Sequence, residues 1–278
     1  MIVKRAGALE TGAFYTLALF FLFLFGFPFV LTFFMSFKSM PEYMAGNFWG
    51  LPKTVYFGNF RRVLAANFLV FFRNSVVVSS FAVFLTTLFA SLAGYAFAKL
   101  KFRLSGLIFT LIIAGMMIPI HTTLIPIYQM NKFLRFTNTF AGLVGPYISF
   151  GLPVAIYIIT SFFREVPNSL QESAHIDGAS SFRIYFSIML PISAPAISTS
   201  SILNFLSYWN EFIVAMTMLN STNKHTLPLG MRQFYGTENV NIPAVLTAVL
   251  VGSLPVIIFY MFAQERVING LSAGAVKG

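Results

Sequence analysis

The side chains with the richest binding chemistry gather between Asn204 and Glu211. Asn204, Ser207, Tyr208, Trp209, Asn210 and Glu211 all fall within one otherwise apolar stretch. Amides and hydroxyls supply hydrogen-bond donors and acceptors, and the two rings supply flat apolar faces. Together they suit a neutral, hydroxyl-rich ligand. The same residues would also serve as polar glue between packed helices, and the sequence alone leaves both readings open. Glu211 is the costly member. If the stretch crosses a bilayer, an ionised carboxylate at its centre costs about 2.5–3.5 kcal/mol or more, so Glu211 faces a polar interior or the outer boundary.

Other chemistry lacks its residues. There is no cysteine, which removes disulfides, cysteine–zinc sites and thiol catalysis. His121, His175 and His225 stand too far apart for a local metal box, and no His-Glu-x-x-His occurs. The phosphate-cradling loop that ends in Gly-Lys-Ser or Gly-Lys-Thr is missing, as is a nucleophile elbow. No catalytic residue, metal ligand or cofactor site is therefore expected, and the chain reads as something other than an enzyme.

The elements that must position these residues follow from composition. Of 278 residues 57% are hydrophobic and 9% charged, with a mean hydropathy of +0.79. Soluble domains carry about 25% charged residues, so this is an integral membrane protein. The net charge of +10 comes from 18 Lys and Arg scattered through loops, which argues against a nucleic-acid partner. Six stretches approach the ~20 apolar residues a helical span needs: about 13–37, 69–98, 105–130, 138–163, 188–219 and 241–264. The runs are continuous rather than alternating, which disfavours a β-barrel. The Phe-rich first run, after Lys4 and Arg5, is too long for a cleaved signal and is read as a span that stays. Pro119 and Pro126 in the third span, Pro146 and Pro153 in the fourth, and Pro243 and Pro255 in the sixth predict kinks. The loop 38–68 is the longest, and its Trp49 and Tyr56 suit a membrane interface. The linker after the second span is short and basic, with Lys99, Lys101 and Arg103. Basic residues do not orient the chain: of the 18, nine (Lys4, Arg5, Lys99, Lys101, Arg103, Arg164, Arg183, Arg266, Lys277) fall on the side of the termini, and as many fall opposite.

Between the fourth and fifth spans, Glu165 to Pro191 reads as an ordered hairpin outside the bilayer. Ser169 and Glu172 fit a capping box opening a short helix. Gly178 suits the left-handed turn that ends it. Ser180 or Ser181 then caps a second helix carrying Phe182, Tyr185, Phe186 and Met189.

Within this hairpin Glu172-Ser173-Ala174, Asp177-Gly178-Ala179 and Leu190-Pro191 resemble the Glu-Ala-Ala (EAA) loop of bacterial ABC importer permeases. Ser173 departs from the usual alanine but remains small. Asn74-Ser75, Gly94-Tyr95-Ala96-Phe97-Ala98, Trp209-Asn210-Glu211-Phe212 and the tail 269–278 extend the resemblance over nearly the whole chain. They narrow it to carbohydrate-uptake permeases similar to the smaller permease of the maltose importer. The resemblance implies one all-α permease domain over 1–278, with six transmembrane helices (69–264 the five core spans) and both termini cytoplasmic. It would lie in the bacterial inner membrane, with alternating access driven by a partner. Implied partners are a second similar permease, two ATPase subunits that bind ATP and magnesium, and an extracytoplasmic sugar-binding protein. Glu172, Ser173, Ala174, Asp177, Gly178 and Ala179 would contact the ATPase, and Gly274, Val276 and Lys277 would reach between the ATPase subunits. Asn204, Tyr208, Trp209 and Asn210 would line the substrate path. The reading from another class is an ion-coupled secondary transporter, which would want several intramembrane ionisable groups.

Overall fold

The computed structural model describes residues 8–235 and 240–275. Among the described residues the elements are helical, in the order α1 (Ala8–Ser36), α2 (Met40–Met44), α3 (Gly58–Ala65), α4 (Phe68–Lys99), α5 (Ser105–Ala114), α6 (Ile120–Phe133), α7 (Ala141–Glu165), α8 (Ser169–Ile176), α9 (Ser181–Ile184), α10 (Leu190–Ile192), α11 (Ala194–Trp209), α12 (Ile213–Met218), α13 (Leu227–Met231) and α14 (Ile242–Ala275). Four apolar stretches are unbroken and long enough to cross a bilayer: Thr11–Ser36, Phe68–Lys99, Ala141–Glu165 and Ile242–Gln264. Two more spans form only if a bent pair is counted as one, α5 with α6 at 102° and α9–α10 with α11 at 74°.

The breaks have local causes. Ile118 is extended (φ −82°, ψ 113°) because Pro119 clashes with a helical predecessor, so the expected kink becomes a sharp turn. Pro126, Pro146, Pro153 and Pro255 by contrast lie inside unbroken helices. Pro146 frees the Gly142 carbonyl, and the buried Asn131 amide donates to it at 3.2 Å. The fifth stretch, expected to run continuously over 188–219, is interrupted twice. Pro195 cannot donate to the carbonyl a turn earlier, and the chain breaks at Ser193, whose hydroxyl donates to the Met189 carbonyl at 2.7 Å. A π-helical turn, Tyr185–Met189, precedes it. The second interruption separates α11 from α12.

The chain divides into two compact units. Of the described residues the first holds 8–68, 231–235 and 240–255. Its organising residue is buried Asn59, whose amide donates to the carbonyls of Ser36 at 3.0 Å and Lys38 at 2.8 Å, fixing the exit of α1. Thr247 donates to the same Ser36 carbonyl. Lys38 is fully buried, its ammonium donating to the Asn47 carbonyl, and burial holds its pKa below the usual lysine value. Glu42 accepts from the Lys53 amide and the Asn47 side chain, which hold its carboxyl below the ordinary range. The stretch 38–68 thus carries α2 and α3 on a polar lattice, and Trp49 stacks on Phe27 at 6.0 Å.

The second unit holds residues 69–230 and 256–275 and contains two apolar clusters. One joins Val78, Ala82, Leu143, Tyr147, Tyr208, Val214 and Met218. The other joins Ala90, Tyr95, Ile159, Phe163, Ala174, Ile184, Tyr185 and Met189. In the second cluster α4 and α7 approach closely at Gly94, where an added Cβ would lie 3.0 Å from Ile159 Cγ2 and 3.3 Å from the Thr160 amide nitrogen. Gly94→Leu should overpack this contact and destabilise the chain by about 1–3 kcal/mol. Thermal unfolding in detergent reads this directly; an unchanged Tm would contradict the close approach.

Candidate functional site

Two constellations emerge in the second unit. The first is the hairpin. Helix α8 begins one residue earlier in register than the capping box requires: Asn168, not Ser169, is the N-cap, and it makes no side-chain cap. The Asn168 side-chain oxygen is already engaged by Lys99, whose ammonium donates to it at 2.8 Å and also to the Val166 carbonyl. The end of α8 matches expectation. Gly178 has φ +79°, and the amides of Gly178 and Ala179 donate to the carbonyls of His175 at 3.0 Å and Ala174 at 2.9 Å, closing a Schellman turn. Ser180 caps α9, accepting from the Arg183 amide at 3.3 Å.

The hairpin is tied inward by hydrogen bonds whose partners lie far apart in the sequence. Gln171 donates to the Tyr95 hydroxyl at 3.0 Å, and Ser91 and Tyr185 share a hydrogen bond of 2.7 Å. Ala174 and Ile184 are buried against α4 and α7. Outward, Glu172, Ser173, Asp177 and Gly178 are exposed and Ala179 is half-buried. Ile176 is 86% exposed and Phe182 69%, unusual for such side chains unless something covers them. Of the tail residues, Gly274 lies on α14, and Val276 and Lys277 lie outside the described residues.

The second constellation is the polar patch of α11. Helical geometry divides it into two faces. Asn204, Tyr208 and Trp209 are buried, whereas Ser207 and Asn210 are exposed. Tyr208 shares a 2.9 Å hydrogen bond with Thr86 and stacks on Tyr147 at 5.2 Å. A side chain at Gly151 would collide with the Tyr208 hydroxyl and the Asn204 side-chain amide oxygen, so α7 and α11 touch there. Trp209 lies edge-on to Phe72 at 5.7 Å. Asn210 donates back to the Leu206 carbonyl at 2.8 Å.

Glu211 faces a polar interior of its own making. One carboxylate oxygen accepts the Val214 amide at 2.7 Å; the other accepts the Ala215 amide at 3.1 Å and the Tyr147 hydroxyl at 2.9 Å. The carboxylate caps α12, where the first-turn amides, which lack partners within the helix, and the helix dipole both favour negative charge. His121, His175 and His225 are not brought together, and among the described residues no three His, Asp or Glu cluster as metal ligands.

Replacing Glu211 with alanine leaves two amides and the Tyr147 hydroxyl without an acceptor, a loss of about 1–3 kcal/mol. Glu211→Gln keeps one oxygen and should lose less. Melting curves of the two variants in one detergent provide the comparison; a glutamine variant as damaged as the alanine variant would refute the capping role.

Comparison with known proteins now bears on both constellations. The family model described as "Binding-protein-dependent transport system inner membrane component" matches residues 86–271. A putative ABC transporter permease protein from Caldicellulosiruptor sp. (strain Rt8B.4) is 44% identical over 251 residues, covering 90% of this chain and 91% of the relative. The trehalose/maltose transport system permease protein of Thermococcus litoralis is 31% identical over 260 residues, covering 91% of each. Among solved structures, a chain of a bacterial ABC transporter involved in the import of the acidic polysaccharide alginate superposes with a TM-score of 0.82 at 22% identity, covering 95% of this chain and 99% of that one. At that identity the likeness speaks for the fold.

Proposed function

This chain belongs to the family of binding-protein-dependent transport system inner membrane components, and from that premise we propose that it moves a sugar or oligosaccharide across the bacterial inner membrane. It is a transport subunit of an ABC importer and not an enzyme. A relative named for carbohydrate cargo, the trehalose/maltose permease, supports the substrate class. In this reading the chain is one permease domain of six spans, each bent pair counting as one, with both termini cytoplasmic. It works with a second similar permease, two ATPase subunits that hold ATP and magnesium, and an external sugar-binding protein.

The observation that carries the coupling assignment is the two-sidedness of the hairpin. Gln171, Ala174, Ile184 and Tyr185 fasten it to the spans, while Glu172, Ile176 and Phe182 point away. A partner gripping the outer face moves α4 and α7 with it. Glu172 would be the polar contact, with Ser173, Ala174, Asp177, Gly178 and Ala179 shaping the turn that enters the partner's cleft. Gly274, Val276 and Lys277 would reach between the ATPase subunits. Asn210 would present its side chain to the path, backed by Asn204, Tyr208 and Trp209, which set the position of that face.

Gly178→Asp puts a side chain at φ +79° and a charge on the gripped face, at a conformational cost of about 1 kcal/mol. We expect the variant to insert at wild-type level and to lose solute uptake. The assay pairs a pull-down of the tagged chain, coexpressed with its ATPase and second permease, with ATP hydrolysis in the eluate, for wild type and a Glu172→Gln/Gly178→Asp variant. Retention of a stimulated ATPase by wild type alone supports coupling through the hairpin. A wild-type chain that purifies alone and still moves solute would favour the ion-coupled transporter.

A further inference from the structure

Between the end of α4, the linker to α5 and the start of α8 lies a polar cleft of ≈ 800 Å³, walled by Lys99, Lys101, Arg103, Asn168, Glu172 and His175 among others. Three cations face one carboxylate there. Lys99 is committed to Val166 and Asn168, but Lys101 and Arg103 are exposed, and neither makes a hydrogen bond or ion pair with the described residues.

The linker alternates strictly: Lys99, Leu100, Lys101, Phe102, Arg103, Leu104. Its apolar members remain exposed, Leu100 by 41%, Phe102 by 40% and Leu104 by 59%. Leu104 also takes up a left-handed conformation, φ 67°, which L residues avoid. The segment joins the end of one membrane-crossing stretch to the start of the next apolar helix, so it lies at the depth of the lipid headgroups. Cations interleaved with exposed apolar side chains at that depth match a ligand with an anionic head and an acyl body.

We propose that this cleft binds the phosphodiester headgroup of an anionic glycerophospholipid, with Lys101 and Arg103 on the phosphate and Phe102 and Leu104 among the acyl chains. The site rests on the permease reading only in that its flanking helices cross a bilayer. Free phosphate would leave the apolar half of the linker without a purpose. An acidic protein surface would satisfy the cations but would not call for three exposed apolar side chains between two span ends. Because Asn168 and Gln171 lie on the opposite wall, a bound lipid would brace the hairpin against α4.

The test uses the complex of this chain with its second permease and ATPase, reconstituted in nanodiscs of phosphatidylcholine containing phosphatidylglycerol. Native mass spectrometry then counts retained phosphatidylglycerol. A Lys101→Gln/Arg103→Gln variant should retain about thirty-fold less, roughly fivefold for each cation. Arg61→Gln/Arg62→Gln removes the same charge from the exposed surface of α3 and should retain the wild-type amount. Equal retention by all three proteins overturns the proposal. So does displacement of the lipid by millimolar inorganic phosphate, which would assign the cleft to a free anion. Loss of the ATPase from the Lys101/Arg103 variant with lipid retention unchanged would assign it to an acidic partner surface. Solute uptake by the wild-type complex in proteoliposomes is measured in parallel: absent uptake with lipid retained sinks the transport reading and leaves the lipid site standing.

Discussion

A broken helix inside a bilayer finds no water for its free amides and carbonyls, so protein groups must satisfy them. This constraint governs where the second unit places its polar side chains. Glu211 takes two amides of α12, and Asn131 donates to the carbonyl that Pro146 leaves free. Asn138 accepts from the amides of Asn220 and Ser221, at 3.2 and 3.1 Å, where the chain turns after α12. Asn74 donates to the carbonyls of Asn223 and His225, and Ser75 accepts the Leu227 amide at 2.7 Å. The chain has few charged residues, and the one at the α11–α12 break, Glu211, accepts two backbone amides. The broken path and the polar inventory are one design problem.

The same economy gives the hairpin its stiffness. A short helical pair with no core of its own transmits displacement only if it is fastened at several points. Lys99, Gln171, Tyr95, Tyr185 and Ser91 supply those points through hydrogen bonds that link it to α4 and to the end of α7. The apolar cluster around Ile159, Phe163 and Ile184 fills the space between. Any ligand or partner shifts the balance of two states only by contacting them differently. A loose hairpin would absorb that difference in its own flexing.

Much of this was legible in the sequence, and the failures are instructive. Gly178, and a serine cap at 180 or 181, are legible because a left-handed turn and an N-cap depend on a few neighbouring residues. Ser169 was misjudged as a cap because the true boundary is set by Lys99, which draws Asn168 and Val166 toward α4 from far along the chain. The breaks in the fifth stretch were hidden for a related reason. Hydropathy averages over Ser193 and over Asn210-Glu211, and neither position looks like a stop until the backbone is traced. Glu211 is legible as expensive, and the α12 amides it accepts lie only three and four residues on, but its remote partner Tyr147 follows from tertiary packing and has no signature in local spacing.

The polar patch on α11 was read as one surface, and helical periodicity makes it two. Ser207 and Asn210 lie one turn apart on the open side; Asn204 and Tyr208 lie one turn apart on the closed side. The closed side meets Thr86 on α4 and Gly151 and Tyr147 on α7. These are the same two helices that, further along, hold the hairpin through Ser91, Tyr95, Lys99 and Phe163. Under the proposed coupling, a load on the hairpin reaches α4 and α7 together and moves the face that Ser207 and Asn210 present. On that proposal Tyr208 and Asn204 would serve transport by fixing the angle at which the open face meets whatever passes.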